Sequence, residues 1–146
     1  MEVVESIGVG PLAVDTAIFI YFVEQHARYA DLVRPIFHAA DRGELALVTS
    51  AVTLLELLVV PYRVGDLSLA ARYETLLTQS AGLRMVALDH AQLRTAAHIR
   101  ARFGVRTPDA LQLAAAVTAH CTAFLTNDRR LPQIPGLRIV QLDAVQ

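Results

Sequence analysis

Four acidic residues occupy positions from which they could do chemistry together. Asp15 directly follows the apolar run Leu12-Ala13-Val14 and precedes Ala17-Ile18-Phe19-Ile20. Glu56 lies within Leu54-Leu55-Glu56-Leu57-Leu58-Val59-Val60, a helical turn apolar on every side, so helical geometry leaves it little access to water. A carboxylate held there needs a partner, a metal or a raised pKa. Asp109 falls in the first turn of a helix opened by Thr107-Pro108, and Asp128 follows Ala123-Phe124-Leu125-Thr126 in the turn Asn127-Asp128-Arg129-Arg130. Each has an ordinary explanation: a helix cap for Asp15, an ion pair with an arginine for Glu56, dipole stabilisation for Asp109 and an Asx turn for Asp128. Jointly, four acids from distant segments fall on one rim of one predicted sheet, and like charges held together require a counter-charge. An all-oxygen set of this kind suits Mg²⁺ or Mn²⁺. A divalent cation so held activates water and neutralises charge on a phosphoryl group during in-line displacement, so metal-dependent phosphodiester hydrolysis is the reaction class that fits.

The elements that must position these acids alternate along the chain. Short apolar runs predict strands at Leu12–Val14, Leu45–Val48, Leu83–Leu88, Ala123–Thr126 and Leu137–Leu142. Between them, helices are predicted from Thr16 to about His26, over Asp31–Arg42 with Gly43 closing it, from a Ser50 cap through Val60 with Pro61 ending it, and over Leu67–Ser80 with Gly82 as its stop. Two more run from an Asp89 cap to Phe103, and from Thr107-Pro108 to about His120, with Pro at the first helical position. Strands apolar on both faces and separated by helices imply a parallel sheet of about five strands, covered on both sides in a three-layer α/β/α arrangement. Ligands of such sheets bind beyond the carboxyl ends of the strands, where the strand order reverses.

Composition narrows the functions available. The 146 residues carry 13 basic and 14 acidic side chains, a formal charge of −1, and every basic residue is Arg. Without Lys, Schiff-base catalysis, P-loop phosphate binding and phospho-receiver chemistry are excluded. One Cys allows no intrachain disulfide, the acidic start does not read as a secretory signal, and no apolar run approaches the ~20 residues of a membrane span, so a reducing cytoplasm is the expected setting. About 150 residues bury roughly 70% of their unfolded surface, which predicts one domain over residues 1–146, preceded by a lead of residues 1–11 ending in Gly8-Val9-Gly10-Pro11.

The runs Leu12-Ala13-Val14-Asp15-Thr16-Ala17, Thr49-Ser50-Ala51-Val52-Thr53-Leu54-Leu55-Glu56, Thr107-Pro108-Asp109-Ala110-Leu111-Gln112-Leu113-Ala114-Ala115-Ala116 and Leu125-Thr126-Asn127-Asp128, in this order and spacing, resemble a PIN-domain ribonuclease, and within that group a VapC-like toxin of a toxin–antitoxin pair. The resemblance spans nearly the whole chain from Leu12. It implies that Asp15, Glu56, Asp109 and Asp128 form an acidic quartet holding one or two Mg²⁺ or Mn²⁺ ions, that Thr126 supplies a hydroxyl near the metal, and that Thr16 is a lesser candidate for that role. It further implies endonucleolytic cleavage of RNA leaving 5′-phosphate and 3′-hydroxyl ends, a small VapB-like antitoxin lying across the site, and a homodimer. The lead before Leu12 is longer than many such toxins show.

Other residues take plainer roles. The five His residues lack ligand spacing, Cys121 reads as a core thiol, and Asp89 as a cap. Glu24, four residues before Arg28, reads as a helical ion pair and is held as a reserve site residue. Arg106, Arg129 and Arg130 flank the acids and are expected to hold RNA phosphates; their alternative is a solvated surface. Against hydrolysis stands a catalytically idle PIN-like module whose acids receive an Arg from a protein partner. A haloacid dehalogenase-type phosphatase is disfavoured, because Asp15 is followed by Thr16-Ala17 and not by an Asp-x-Asp pattern.

Overall fold

The computed structural model describes residues 2–8 and 10–145; Met1 and Val9 of the expected lead, and Gln146, lie outside the described residues. Five strands, β1 (Leu12–Val14), β2 (Leu47–Ser50), β3 (Leu83–Val86), β4 (Ala123–Thr126) and β5 (Arg138–Gln141), form one parallel sheet in the order β3-β2-β1-β4-β5. The helices are α1 (Glu2–Ile7), α2 (Thr16–Val23), α3 (Ala30–Asp41), α4 (Val52–Val64), α5 (Leu67–Gln79), α6 (His90–Phe103) and α7 (Thr107–Thr118), with a final 3₁₀ turn at Leu142–Ala144. The parallel α/β class and the strand number agree with the sequence reading.

Period-two alternation splits each central strand between two cores. Leu12, Val14, Leu47, Ala123 and Leu125 face a core shared with α2, α3 and α5, whereas Ala13, Val48 and Phe124 face one shared with α6 and α7. Helix α7 is buried at seven successive positions, Ala110 to Ala116, and its alanines let it lie close against the sheet. The lead joins the first core, since Ile7 is buried and its carbonyl accepts a 2.7 Å hydrogen bond from Arg138. No helix among the described residues is long and apolar enough to cross a membrane.

Several element boundaries differ from expectation: α2 ends at Val23, β2 is Leu47–Ser50, and β3 and β5 are shorter than their apolar runs. Three further differences have a definite physical cause. Ser50 belongs to β2, and its Oγ accepts from the Val52 amide at 3.2 Å, one residue earlier than a cap at the helix start would sit. Helix α4 continues through Pro61 to Val64 and stops at Gly65, whose left-handed φ of 75° makes it the C-terminal break. Proline removes the hydrogen bond to the residue four earlier and crowds that residue's carbonyl, a local loss that burial of Pro61 and Leu57 against the core offsets. Gly82 is not a helix stop in the sense expected: a Cβ there would lie 2.3 Å from the Ala40 carbonyl oxygen, so close packing of backbone on α3 requires the glycine.

Candidate active site

The chain crosses from β3 at one edge to β4 on the other side of β1, so the strand order reverses between β1 and β4. At that crevice the Asp15 amide donates to the Leu125 carbonyl at 3.0 Å, closing the end of the β1–β4 ladder. The Asp15 side chain then serves two elements. Oδ1 accepts from the Thr16 amide at 2.8 Å as the cap of α2, and Oδ2 accepts from Thr126 Oγ1, at the end of β4, at 2.6 Å. Capping and a place in the site are therefore not alternatives for this residue. Thr126 Oγ1 in turn accepts from the Asp128 amide at 2.9 Å, so one hydroxyl ties the first acid to the turn carrying the last.

Asp15, Glu56, Asp109 and Asp128 all line one open cleft of about 640 Å³, together with Thr16, Gln112, Asn127, Arg106, Arg129 and Arg130. Burial pushes the Asp15 carboxyl above its ordinary value; hydrogen bonds from Thr126 and Thr16 oppose this, and the charges of Glu56 and Asp109 add to it. The charges of Glu56 and Asp109 thus reach Asp15 across the cleft. Asp128 goes the other way, lowered chiefly by hydrogen bonds from Arg130, whose Nε and Nη2 reach Oδ1 and Oδ2 at 3.0 and 3.1 Å. Arg106 Nε donates to Asp109 Oδ2 at 3.2 Å.

Glu56 departs from its expected surroundings. It is half-buried, and α4 turns Leu55, Val59 and Tyr62 to solvent instead. Its partners are hydroxyl and amide donors: Thr16 Oγ1 at 2.7 Å and Gln112 Nε2 at 3.5 Å. Gln112, buried on α7, also donates to Thr53 Oγ1 at 2.7 Å and Thr16 Oγ1 at 3.1 Å, and accepts from the Ser50 amide at 3.4 Å. Thr53 bonds Thr49 at 2.7 Å, and Thr49 donates to the Val14 carbonyl at 3.0 Å. This network joins β1, β2, α2, α4 and α7 beneath the acids. Sequence reasoning passed over Gln112 and Thr53; the available signal was a lone amide in the otherwise apolar stretch Ala110 to Ala116.

Glu24, the reserve candidate, lies elsewhere. Helix α2 ends at Val23, so Glu24 and Arg28 do not share a helix; Glu24 accepts from the Tyr73 hydroxyl, while Arg28 pairs with Asp143 at 3.4 Å. Cys121 is buried, and desolvation pushes its thiol up to about 11, which keeps it protonated at neutral pH. Arg129 lines the cleft and reaches Asp143 at 3.8 Å.

The PIN domain family profile matches residues 12–137. The chain belongs to the PIN domain family. PIN domains are generally nucleases, and the β1–β4 crevice of this one collects its acids. Among solved structures, the PIN fold here is similar to a chain of VapBC2 from Rickettsia felis bound to a DNA fragment from its promoter, with 16% identity, TM-score 0.67, and 90% of this chain and 98% of that one covered. A toxin–antitoxin complex from Klebsiella pneumoniae gives 18% identity and TM-score 0.63, over 90% of this chain and 97% of that one. DNA-bound VapBC from Salmonella typhimurium gives 20% identity and TM-score 0.69, over 92% and 99%. No match was found among curated protein sequences.

As placed, no group of three or more His, Cys, Asp or Glu among the described residues is gathered closely enough to hold one ion. Each acid is instead turned to a donor: Asp15 to Thr126, Glu56 to Thr16, Asp109 to Arg106 and Asp128 to Arg130. The donor set itself fits a hard cation, because the cleft offers carboxylates and hydroxyls and no thiolate or imidazole among its described lining residues.

Proposed function

We propose that this PIN domain is a metal-dependent endoribonuclease and the toxin of a toxin–antitoxin pair. The observation that carries the reading is the convergence of Asp15, Glu56, Asp109 and Asp128 on one cleft at the β1–β4 crevice, where the charges of Glu56 and Asp109 add to the cost of ionising buried Asp15 and favour a cation. Asp15, Glu56, Asp109 and Asp128 would hold Mg²⁺ or Mn²⁺, which when bound supplies charge neutralisation at the phosphoryl group and an acidified water. Thr126, donating to Asp15 and accepting from the Asp128 amide, fixes the spacing of the two acids on either side of β4. Arg106, Arg129 and Arg130 line the same cleft and offer forked donors to RNA phosphates, a geometry that guanidinium provides and ammonium does not.

The reading includes a small antitoxin and a homodimer. In its support, the neighbours that share the fold come from VapBC or toxin–antitoxin complexes, and α4 leaves Leu55, Val59, Tyr62 and Val64 exposed, with Leu67 beyond them. A catalytically idle module draws on a different observation, the occupation of Asp109 and Asp128 by the chain's own arginines. One experiment separates the two: RNA ends are sequenced after brief expression of the parent and of Asp15→Asn and Asp109→Asn. New 5′-phosphate ends in the parent alone are expected. Folded variants that cut as well as the parent overturn the carboxylate assignment, and a parent that binds Mn²⁺ yet cuts no RNA supports the idle module.

A further inference from the structure

Beside the acidic cleft stands an aromatic cluster that the hydrolytic chemistry does not use. Tyr21 lines the cleft, and its hydroxyl accepts from Asn127 Nδ2, at the foot of the acidic turn, at 3.4 Å. Its ring lies 4.7 Å from that of Tyr29 and 5.0 Å from that of His26, centre to centre. His26 and Tyr29 are stacked at 5.0 Å with 25° between their planes. Tyr29 is buried in the cluster, whereas His26 is exposed.

Local backbone explains how the ring is held there. The chain leaves α2 through Gln25, a non-glycine residue at φ 52°, and the His26 amide returns to the Tyr21 carbonyl at 3.0 Å. This is a helix end that favours glycine at the left-handed position, and a non-glycine residue there costs free energy. His26 Nδ1 accepts from the amides of Arg28 and Tyr29 at 3.1 and 3.3 Å, so the imidazole is fixed in orientation. Such an end brings His26 onto Tyr21 for structural reasons alone. What points outward is the charge around it: Asp143 accepts from the Tyr29 hydroxyl at 2.6 Å and pairs with both Arg28 and Arg129, setting two exposed guanidinium groups beside the rings. Arg129 and Tyr21 both line the cleft, and Tyr21 contacts His26, so the cluster adjoins the acids through one cation and one ring.

Aromatic faces alternating with backbone-facing cations are the chemistry that binds single-stranded nucleic acid, because every base has a π-face and every linkage a charge. We infer that Tyr21, His26 and Arg28, continued by Arg129, form a track for single-stranded RNA leaving the cleft. One base stacks on the exposed His26 ring and adjoining phosphates meet Arg129 and Arg28. The inference rests on the ribonuclease reading and adds a positioning surface to it.

The test measures binding of a fluorescent random-sequence RNA of about 12 nucleotides, a length suited to such sites, to the full chain carrying Asp109→Asn in Mg²⁺, where cleavage is silenced. The same RNA with abasic nucleotides in place of its bases is the comparison. The base-bearing strand is expected to bind roughly tenfold more tightly, the effect of one stacked base. His26→Ala is expected to erase that difference and His26→Phe to keep it, while Arg28→Ala weakens both strands alike. Because the abasic comparison uses the unaltered track, it stands even if His26→Ala folds poorly. Equal affinity for the two strands overturns the stacking track and leaves the ribonuclease reading intact. A protein that binds neither strand overturns both.

Discussion

Asp15 shows at the scale of one side chain why the site is costly to build. Its oxygens cap α2 and accept from Thr126, yet burial and the charges of Glu56 and Asp109 still raise its pKa above the ordinary 3.8. A carboxyl whose pKa is higher folded than unfolded destabilises the fold in the ionised form. The penalty is absent below about pH 4, where both states are protonated, and grows as pH rises through the interval up to the raised value. Asp128 has the opposite sign: lowered by Arg130, its contribution is present above 3.8 and lost on acidification. Asp15→Asn is therefore expected to melt at or above the parent temperature at neutral pH, with the gap closing toward pH 4. The same variant is expected to lose at least about a hundredfold in RNA cleavage, and to lose the rise in melting temperature that Mn²⁺ gives the parent. Melting curves from pH 4 to 8, with and without Mn²⁺, check each part; a variant less stable at neutral pH than at pH 4, relative to parent, contradicts the sign.

At the scale of elements, the sequence was most legible where pattern and burial agree. Apolar runs located all five strands, and Thr107-Pro108 with Asp89 located two helix starts, because caps and proline act locally. Legibility failed where a distant neighbour decides. The apolar surround of Glu56 suggested deep burial, but only one side of α4 meets the core and the rest keeps Leu55 and Val59 in solvent. Gln112 was passed over in the apolar stretch of α7, and only the folding of α4 and α2 around it reveals a buried hub. Gly82 read as a helix stop, yet its cause is α3, about forty positions earlier in the chain. A methyl group there meets backbone, which cannot swing aside as a flexible side chain would. Gly82→Ala is thus expected to destabilise the fold by about 1–3 kcal/mol, read from urea denaturation, while the folded fraction keeps the parent's cleavage rate, since the contact lies at the amino end of β3, opposite the acids. No loss of stability would mean that α3 moves freely against the sheet.

At the scale of the molecule, a formal charge of −1 is an average over two regions of opposite sign. Setting aside the four cleft acids leaves +3, carried entirely by arginine. In the structure Arg106 and Arg130 spend that charge on Asp109 and Asp128, at exposed pairs that are individually weak. When the acids take another counter-charge, both guanidinium groups become available to phosphate, and Arg129 lines the same cleft. An RNA strand that meets these three arginines releases counterions, and single-strand affinity then falls with salt at a log–log slope of about −2. Arg129→Ala and Arg130→Ala are each expected to reduce that slope by about 0.7 without altering which sequences are preferred, because phosphate contacts position the strand and carry no base information. Titrating RNA binding across salt in the cleavage-silent Asp109→Asn background gives the slope. A value near zero would mean that the arginine shell serves only the acids, and that the RNA is held by stacking and shape.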